Sequence, residues 1–115
     1  MSAKYLFIAS MDVDADREGV FHDVYDREHI PNLLTVPGVR RVARYESEAF
    51  DISLGGEVRH VPVAEPRFHA LYEIDSPDVL VSRSWADAVE RGRWPSEVRP
   101  FTTNRKHRLY RRYGE

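Results

Sequence analysis

The stretch KYLFIASM, residues 4–11, decides how the rest of the chain must fold. It is an uninterrupted run of apolar and β-prone side chains, and the acidic residues Asp12 and Asp14 follow it. A run of this length and composition is typical of a strand that is buried on both faces. The stretch RFHALYEI, residues 67–74, has nearly the same character. The sequence therefore predicts a sheet with strands that need apolar cover on both sides.

A first helix is predicted after this strand, from about residue 15 to residue 28. Asp14 is its expected N-cap, because carboxylates are favoured at helix N-termini. The apolar side chains of this segment recur at helical spacing: Val20, Phe21, Val24 and Tyr25. Pro31 is expected to break the helix at Ile30, since proline disfavours helical geometry in the residue before it. A separate short turn could follow, with Pro31 in its first position.

A second helix is predicted from Ser76 to Gly92, with serine as the N-cap and glycine at the end. A restart at Ser84 is expected after a kink near Ser82. The apolar stripe of this helix consists of Val81, Trp85, Ala88 and Val89. Residues 93–104 are predicted to form a loop, because they contain two prolines.

The remaining strands are predicted at residues 39–46, 67–74 and 105–113. Residues 47–66 form an insertion, in which Gly55-Gly56 is the expected tip of a hairpin between residues 50–54 and 57–63. Pro62 and Pro66 keep this hairpin at a sheet edge or off the sheet.

The resulting order β-α-β-β-α-β predicts an α+β protein with a ferredoxin-like fold. In that fold a four-stranded antiparallel sheet carries both helices on one face. A chain of 115 residues is expected to form a single domain, residues 1–115. Two helices leave one face of the sheet uncovered, and large exposed apolar patches are uncommon on monomers. We therefore predict a homodimer, in which a twofold places sheet against sheet around a barrel-like space.

Composition excludes several classes of protein. No apolar run approaches the roughly 20 residues that span a bilayer, and the N-terminus lacks the layout of a signal peptide. The chain has no cysteine, which excludes disulfides and thiol chemistry and fits a cytoplasmic protein. The 17 basic and 19 acidic residues give a net charge of −2, which argues against a general nucleic-acid binder.

Candidate chemistry begins at the end of the first helix. Phe21, Tyr25 and His29 are spaced four apart, so they share one helix face. An imidazole titrates close to neutral pH and therefore suits a general acid or base. A histidine in the last turn of a helix is also a common C-terminal feature with no further role.

The segment Tyr25-Asp26-Arg27-Glu28-His29-Ile30-Pro31 resembles the Tyr-x-x-x-His-x-Pro signature of the dimeric α/β-barrel superfamily, particularly its EthD-like branch. Val36-Pro37-Gly38-Val39 and Arg44-Tyr45 are similar to the start of the second strand in those proteins. Members include cofactor-free monooxygenases, lactone isomerases, polyketide cyclases and haem-handling enzymes. The resemblance implies that His29, and with it Tyr25, lies beside a cavity and serves in acid–base catalysis. The long insertion 47–66 departs from the family's usual pattern.

Three further residues are candidates for substrate binding: Arg44, Tyr45 and His69. Arg44 could hold a carboxylate or an enolate with its forked donors. In strand 67–74, His69 faces either the cavity or the helices, and strand alternation leaves both directions open because both faces are apolar. The same alternation places one of Arg44 and Tyr45 towards the cavity.

Three functions remain open on the sequence. The first is an enzyme without an organic cofactor, in which His29 moves a proton on a hydrophobic cyclic or aromatic substrate held between sheet and helices. Its reaction would be an isomerisation, a lyase or cyclase reaction or a cofactor-free oxygenation. The second is a non-catalytic binder of a similar ligand, and the third is a haem protein with His29 or His69 as axial ligand.

No metal site is expected, because the histidines lack chelating spacing. The basic segment 105–112 is interpreted as edge-strand protection rather than a nucleic-acid site.

Overall fold

The computed structural model describes residues 3–114 and contains two separate antiparallel sheets. The strands are β1 (Tyr5–Val13), β2 (Val39–Glu46), β3 (Phe50–Leu54), β4 (Glu57–Val61), β5 (Phe68–Ile74) and β6 (Thr102–Arg111). The main sheet has four strands in the order β2-β5-β1-β6, and β3 pairs with β4 alone. The predicted α+β class with a four-stranded antiparallel sheet is confirmed. The two most apolar stretches of the sequence, β1 and β5, are the two central strands.

The helical segments are short and change type along the chain. The α-helices are α1 (Glu18–Val24), α2 (Ile30–Leu34) and α3 (Arg83–Ala88). Two π-helical turns occur at Tyr25–His29 and Trp94–Val98. Three 3-10 turns occur at Ala15–Arg17, Pro77–Val81 and Arg99–Phe101.

The expected helix break at Ile30 is wrong. The chain runs as a continuous helical segment from α1 through the π turn into α2, and Pro31 lies in the first turn of α2. A proline ring normally clashes with the preceding helical turn, and its nitrogen cannot donate a hydrogen bond. Here the preceding turn is of the wider π type, in which the Ile30 N–H donates to the Tyr25 carbonyl. The wider turn accommodates the proline without ending the helix.

Two other boundary predictions need correction. Asp14 occupies the cap position of the first 3-10 turn, but its side chain makes no capping hydrogen bond. The kink near Ser82 is confirmed, yet Ser82 rather than Ser84 starts the following helix, and its hydroxyl accepts from the Trp85 N–H at 3.2 Å. The expected loop 93–104 contains helical turns in place of an irregular chain.

The insertion forms a projecting two-stranded arm, residues 50–61, joined by the Gly55-Gly56 turn as predicted. Both glycines have positive φ, which suits the tight turn of a hairpin. Register pairs Phe50 with Val61, and Phe50, Ile52 and Leu54 share one side of the arm. These side chains are exposed. On this side the arm exposes three apolar side chains beside the charged Arg59 and Glu57, and no described part of the chain covers them.

Strand register assigns each side chain of the main sheet to a face. Phe7 lies opposite Tyr72, and Ala9 lies opposite Ala70, on the face that carries the helices. The core lies between this face and the helical layer, with Phe21, Val24, Leu33 and Ala88 fully or almost fully buried. Ile8 lies opposite Leu71 on the other side, which we call the open face. Among residues 3–114, no helix is both long and apolar enough to cross a bilayer.

Candidate functional site

A cavity of about 280 Å³ lies between the helix-bearing face of the sheet and the helices. We call it the His29 cavity. Its lining consists of Phe7, Ala9, Met11, Tyr25, His29, Tyr72, Leu80, Trp85, Val89, Trp94, Arg99, Arg105 and His107. An engineered cavity of about 150 Å³ already accommodates benzene. The His29 cavity is thus large enough for one or two fused rings with polar substituents.

His29 and Tyr25 reach this cavity because they are four residues apart on the π turn, which presents both to the same side. Their rings meet edge to face, with centroids 5.3 Å apart. His29 also stacks on Trp94, with centroids 3.9 Å apart and ring planes within 11°. Aromatic packing therefore fixes the orientation of the imidazole.

The imidazole of His29 is buried but makes no hydrogen bond. Only 4% of the residue is exposed, and the Nδ1 atom is inaccessible to solvent. Nδ1 has no hydrogen-bond partner among residues 3–114. Buried polar side-chain atoms are nearly always paired, so an unpaired one needs an explanation.

Burial, together with the nearby Arg99 guanidinium and against the opposing effect of Glu90, lowers the pKa of His29 to about 4. The imidazole is consequently neutral at pH 7. A neutral imidazole offers one donor and one acceptor. At neutral pH His29 is able to accept a proton, or to hydrogen bond a hydroxyl or carbonyl group, without first losing a proton.

Tyr25 and Tyr72 form a second polar element of the His29 cavity. Their hydroxyl groups interact with each other, and both side chains are almost fully buried. Burial raises the pKa of Tyr25 to about 12 and that of Tyr72 well above its usual range. Both phenols keep their protons at neutral pH. One proton serves the contact between the two hydroxyl groups, so the other can be donated to an anionic oxygen.

An ion-pair cluster holds the Trp94 segment against the first helix. Arg93 donates from Nε to the Glu28 carboxylate at 2.6 Å, and its backbone N–H donates to the same carboxylate at 2.9 Å. Its Nη2 donates to Asp23 at 2.8 Å. These bonds hold the pKa of Glu28 and that of Asp23 below their ordinary values. Gly92 has a φ of +66°, and Glu28 occupies the space that a Cβ would need there. The cluster sets the position of the indole on which His29 stacks.

The three predicted binding residues lie outside the His29 cavity. Arg44 points to the helix-bearing side, where it donates to Asp26 at 2.8 Å, meets His22 Nδ1 at 2.6 Å and lies over the Tyr25 ring. Tyr45 is exposed on the open face. Arg44 therefore supports the outer side of Tyr25, and Tyr45 is remote from the imidazole.

His69 lies on the open face as well, opposite Ser10. Its Nδ1 is 2.7 Å from the Ser10 hydroxyl, and its Nε2 is 2.9 Å from the Ser47 hydroxyl. Coordination of haem iron by His69 would require the loss of one of these two hydrogen bonds. Within residues 3–114, no three His, Asp or Glu side chains converge in a way that could hold a metal ion.

Sequence reasoning missed four residues of the cavity wall: Tyr72, Arg99, Arg105 and His107. Tyr72 reaches the cavity because of the phase of β5, which the apolar residues on both faces of that strand conceal. His107 reaches it because the register of β6 places it opposite Ala9, on the helix-bearing face. Arg99 follows a helical turn that was expected to be loop. Arg105 belongs to the basic segment 105–112, whose composition does not distinguish it from its neighbours.

No protein-family model matches the chain, and no curated protein matches it. The resemblance to the EthD-like branch therefore rests on the motifs of residues 25–45 alone.

Proposed function

We propose that this chain binds a hydrophobic cyclic or aromatic, oxygenated molecule in the His29 cavity and transfers a proton through His29. The observation that carries the proposal is the buried, neutral and unpaired imidazole at the cavity wall. The Nδ1 atom is closed to solvent, but the imidazole as a whole lines the cavity, so a ligand hydroxyl, enol or carbonyl bound there lies beside the ring.

The surrounding residues suit a reaction in which negative charge develops on the ligand. When the imidazole takes a proton from a carbon or an oxygen of the ligand, it becomes a cation beside the anion it has created. The protonated phenol of Tyr25 is placed to donate to the developing oxyanion, because it lines the same cavity. Isomerisation, lyase or cyclase chemistry and cofactor-free oxygenation all begin with such a step.

The strand order and the motifs of residues 25–45 support assignment to the ferredoxin-like fold and to the EthD-like branch as part of this proposal. Reading across the main sheet from one edge to the other meets its second, third, first and fourth strands in chain order. The helical turns before β2 and those between β5 and β6 pack on the same face of this sheet. These features agree with the expectations drawn from the sequence.

Binding in the His29 cavity is tested by filling it. In the NMR spectrum of 15N-labelled protein, the two indole N–H signals belong to Trp85 and Trp94, and both side chains line the cavity. We expect 1-tetralone, a two-ring ketone, to shift both signals in a saturable way. Val89→Phe should weaken this binding at least tenfold, because the new ring occupies the space of the ligand. Val81→Phe is the matched control, since Val81 is 84% exposed and lies outside the cavity.

Saturable shifts that Val89→Phe leaves unchanged would place the ligand elsewhere and contradict the proposal. The proposal would also be contradicted if 1-tetralone, benzoate and benzamide all left both indole signals unmoved.

We further propose that a second copy of the chain covers the open face. The middle of this face carries Leu6, Ile8, Ala43 and Leu71, which are half-buried and do not belong to the core. The molecule measures only 19 Å along its shortest axis, as expected for one sheet and one layer of helices. The apolar side of the arm adds to the surface available for a partner.

The dimer is tested at Leu71. We expect the wild-type protein to sediment as a dimer at micromolar concentration. Leu71→Glu should weaken the dimer at least tenfold, because it places a charge in the centre of the contact. Val81→Glu, at an exposed apolar position away from the open face, should leave the dimer intact. A wild-type protein that is monomeric at micromolar concentration would leave the apolar open face unexplained and overturn this part of the proposal.

A further inference from the structure

The wall of the His29 cavity formed by β6 and the turn before it carries two arginines and a histidine. Arg99, Arg105 and His107 line this wall, opposite the aromatic residues Trp85 and Trp94. The proposed proton transfer through His29 uses none of these three. Their presence in a cavity that is otherwise mostly apolar calls for a role.

The charge of Arg99 is already compensated within the protein. Its two terminal nitrogens donate to the Glu90 carboxylate at 2.9 and 2.8 Å, and one of them also donates to the Val89 carbonyl at 3.0 Å. This pairing fixes the guanidinium and satisfies most of its donors. Arg99 is therefore a part of the cavity wall rather than an open site for an anion.

Arg105 differs from Arg99 because it is not compensated. Within residues 3–114 its side chain takes part in no hydrogen bond, ion pair or cation–π contact. All the donors of its planar guanidinium are free to bind a ligand, and that fork matches the two oxygens of a carboxylate. The residue is exposed, which places it at the mouth of the cavity.

The backbone next to Arg105 is irregular. The pairing of β1 with β6 shifts between Ser10 and Asp12, so that two residues of β6 lie opposite the single residue Met11. One of them, Asn104, has a φ of +52°, and its side chain donates to Asp12 at 3.1 Å. Bulges of this kind redirect side chains and are common beside functional sites. Arg105 follows directly and reaches the cavity lining.

We infer that Arg105 anchors an anionic group of the ligand, so that the molecule bound in the His29 cavity is an aromatic carboxylate. Its ring would pack among Phe7, Trp85 and Trp94, and its carboxylate would lie at the mouth, bonded to the guanidinium. This inference rests on the proposed function, because it specifies the ligand of the same cavity. It predicts a preference for an anion over a neutral molecule of the same shape.

Benzoate and benzamide provide the test, because they differ in charge but hardly in size. With the Trp85 and Trp94 indole signals as the readout, we expect the wild-type protein to bind benzoate at least tenfold more tightly than benzamide. Arg105→Gln should remove this preference by weakening benzoate at least tenfold, and it should leave benzamide unchanged. Arg111→Gln is the matched control, since Arg111 lies on the same face of β6, opposite Tyr5 and outside the cavity.

The outcomes separate this inference from the proposed function. Binding of benzamide or 1-tetralone without any preference for benzoate would overturn the role of Arg105 and leave the proposed function standing. A benzoate preference that survives in Arg105→Gln, or that Arg111→Gln removes as well, would also overturn it. If benzoate, benzamide and 1-tetralone all leave the indole signals unmoved, both the inference and the proposed function are wrong.

Discussion

Replacing His29 by glutamine should slow proton exchange on a bound carbon acid by about 100-fold or more, which is the usual contribution of a positioned general base. Glutamine keeps a hydrogen-bonding group in place but cannot accept a proton at neutral pH. The reaction to follow is the incorporation of deuterium from D₂O into 1-tetralone at the carbon next to its carbonyl group. This exchange requires the same proton abstraction as an isomerase, a lyase or a cofactor-free oxygenase.

The affinity for 1-tetralone separates catalysis from mere binding. We expect it to change by less than about threefold in His29→Gln, because a base acts mainly on the transition state. His60→Gln is the control, since His60 lies exposed on the arm, where it pairs with Asp51. Equal losses of exchange and affinity would instead support the non-catalytic binder. Wild-type exchange no faster than that of His29→Gln would contradict catalysis by His29.

Between pH 6.5 and pH 4, acidification should lower the free energy of unfolding of the wild-type protein by about 3 kcal/mol more than that of the His29→Gln variant. The native imidazole stays neutral down to about pH 4, whereas the unfolded chain protonates its histidine at about 6.5. The unfolded state therefore binds the extra proton throughout this window, and the free energy of unfolding falls as the pH falls. Below the window both states are protonated and the difference becomes constant.

Urea unfolding at a fixed protein concentration measures this effect. The difference between wild type and His29→Gln should change across the window and be flat above pH 7. Carboxylates that do not interact with His29, such as Glu28, also titrate at acidic pH, but they are present in both proteins and cancel in the difference. If the curves of the two proteins run parallel from pH 7 to pH 4, the imidazole is not held neutral by burial.

The sequence predicts most of the strands because the local apolar pattern of these segments agrees with their burial in the folded sheet. KYLFIASM and RFHALYEI are apolar on both sides, and both are central strands of the main sheet. The Gly55-Gly56 turn has the positive φ values that its hairpin requires. The pairing of Tyr25 with His29 follows from helical spacing alone, since either an α or a π turn brings residues four apart to one side.

The phase of the central strands could not be predicted from the same pattern. Because both faces of β1 and β5 carry apolar side chains, alternation gives no direction. Only packing against the helices decides that His69 lies on the open face, the side of the predicted barrel-like space and not the side of the His29 cavity. Pro31 was misjudged for a related reason. The π turn that accommodates Pro31 depends on how the whole helical segment packs. The local sequence does not predict this turn.

The cavity itself depends on contacts between distant segments. Trp94 reaches His29 because Arg93 is bound to Asp23 and Glu28, residues separated from it by 65 or more positions in the chain. Arg105 reaches the mouth through a bulge between two strands that are far apart in the sequence. Residue spacing predicts neighbours within one helix or strand, so it does not predict contacts between segments that are far apart in the sequence.

Long-range 1H–15N NMR of the histidine ring nitrogens tests the central claim most directly, with His29→Gln used to assign the His29 signals. In the free protein, His29 should show the neutral form at pH 7 and a midpoint near pH 4, and at least one ring nitrogen should shift when 1-tetralone saturates the cavity. An imidazole that is charged at pH 6, or nitrogens that stay unmoved at saturation, would mean that His29 is neither buried as described nor the group that meets the ligand.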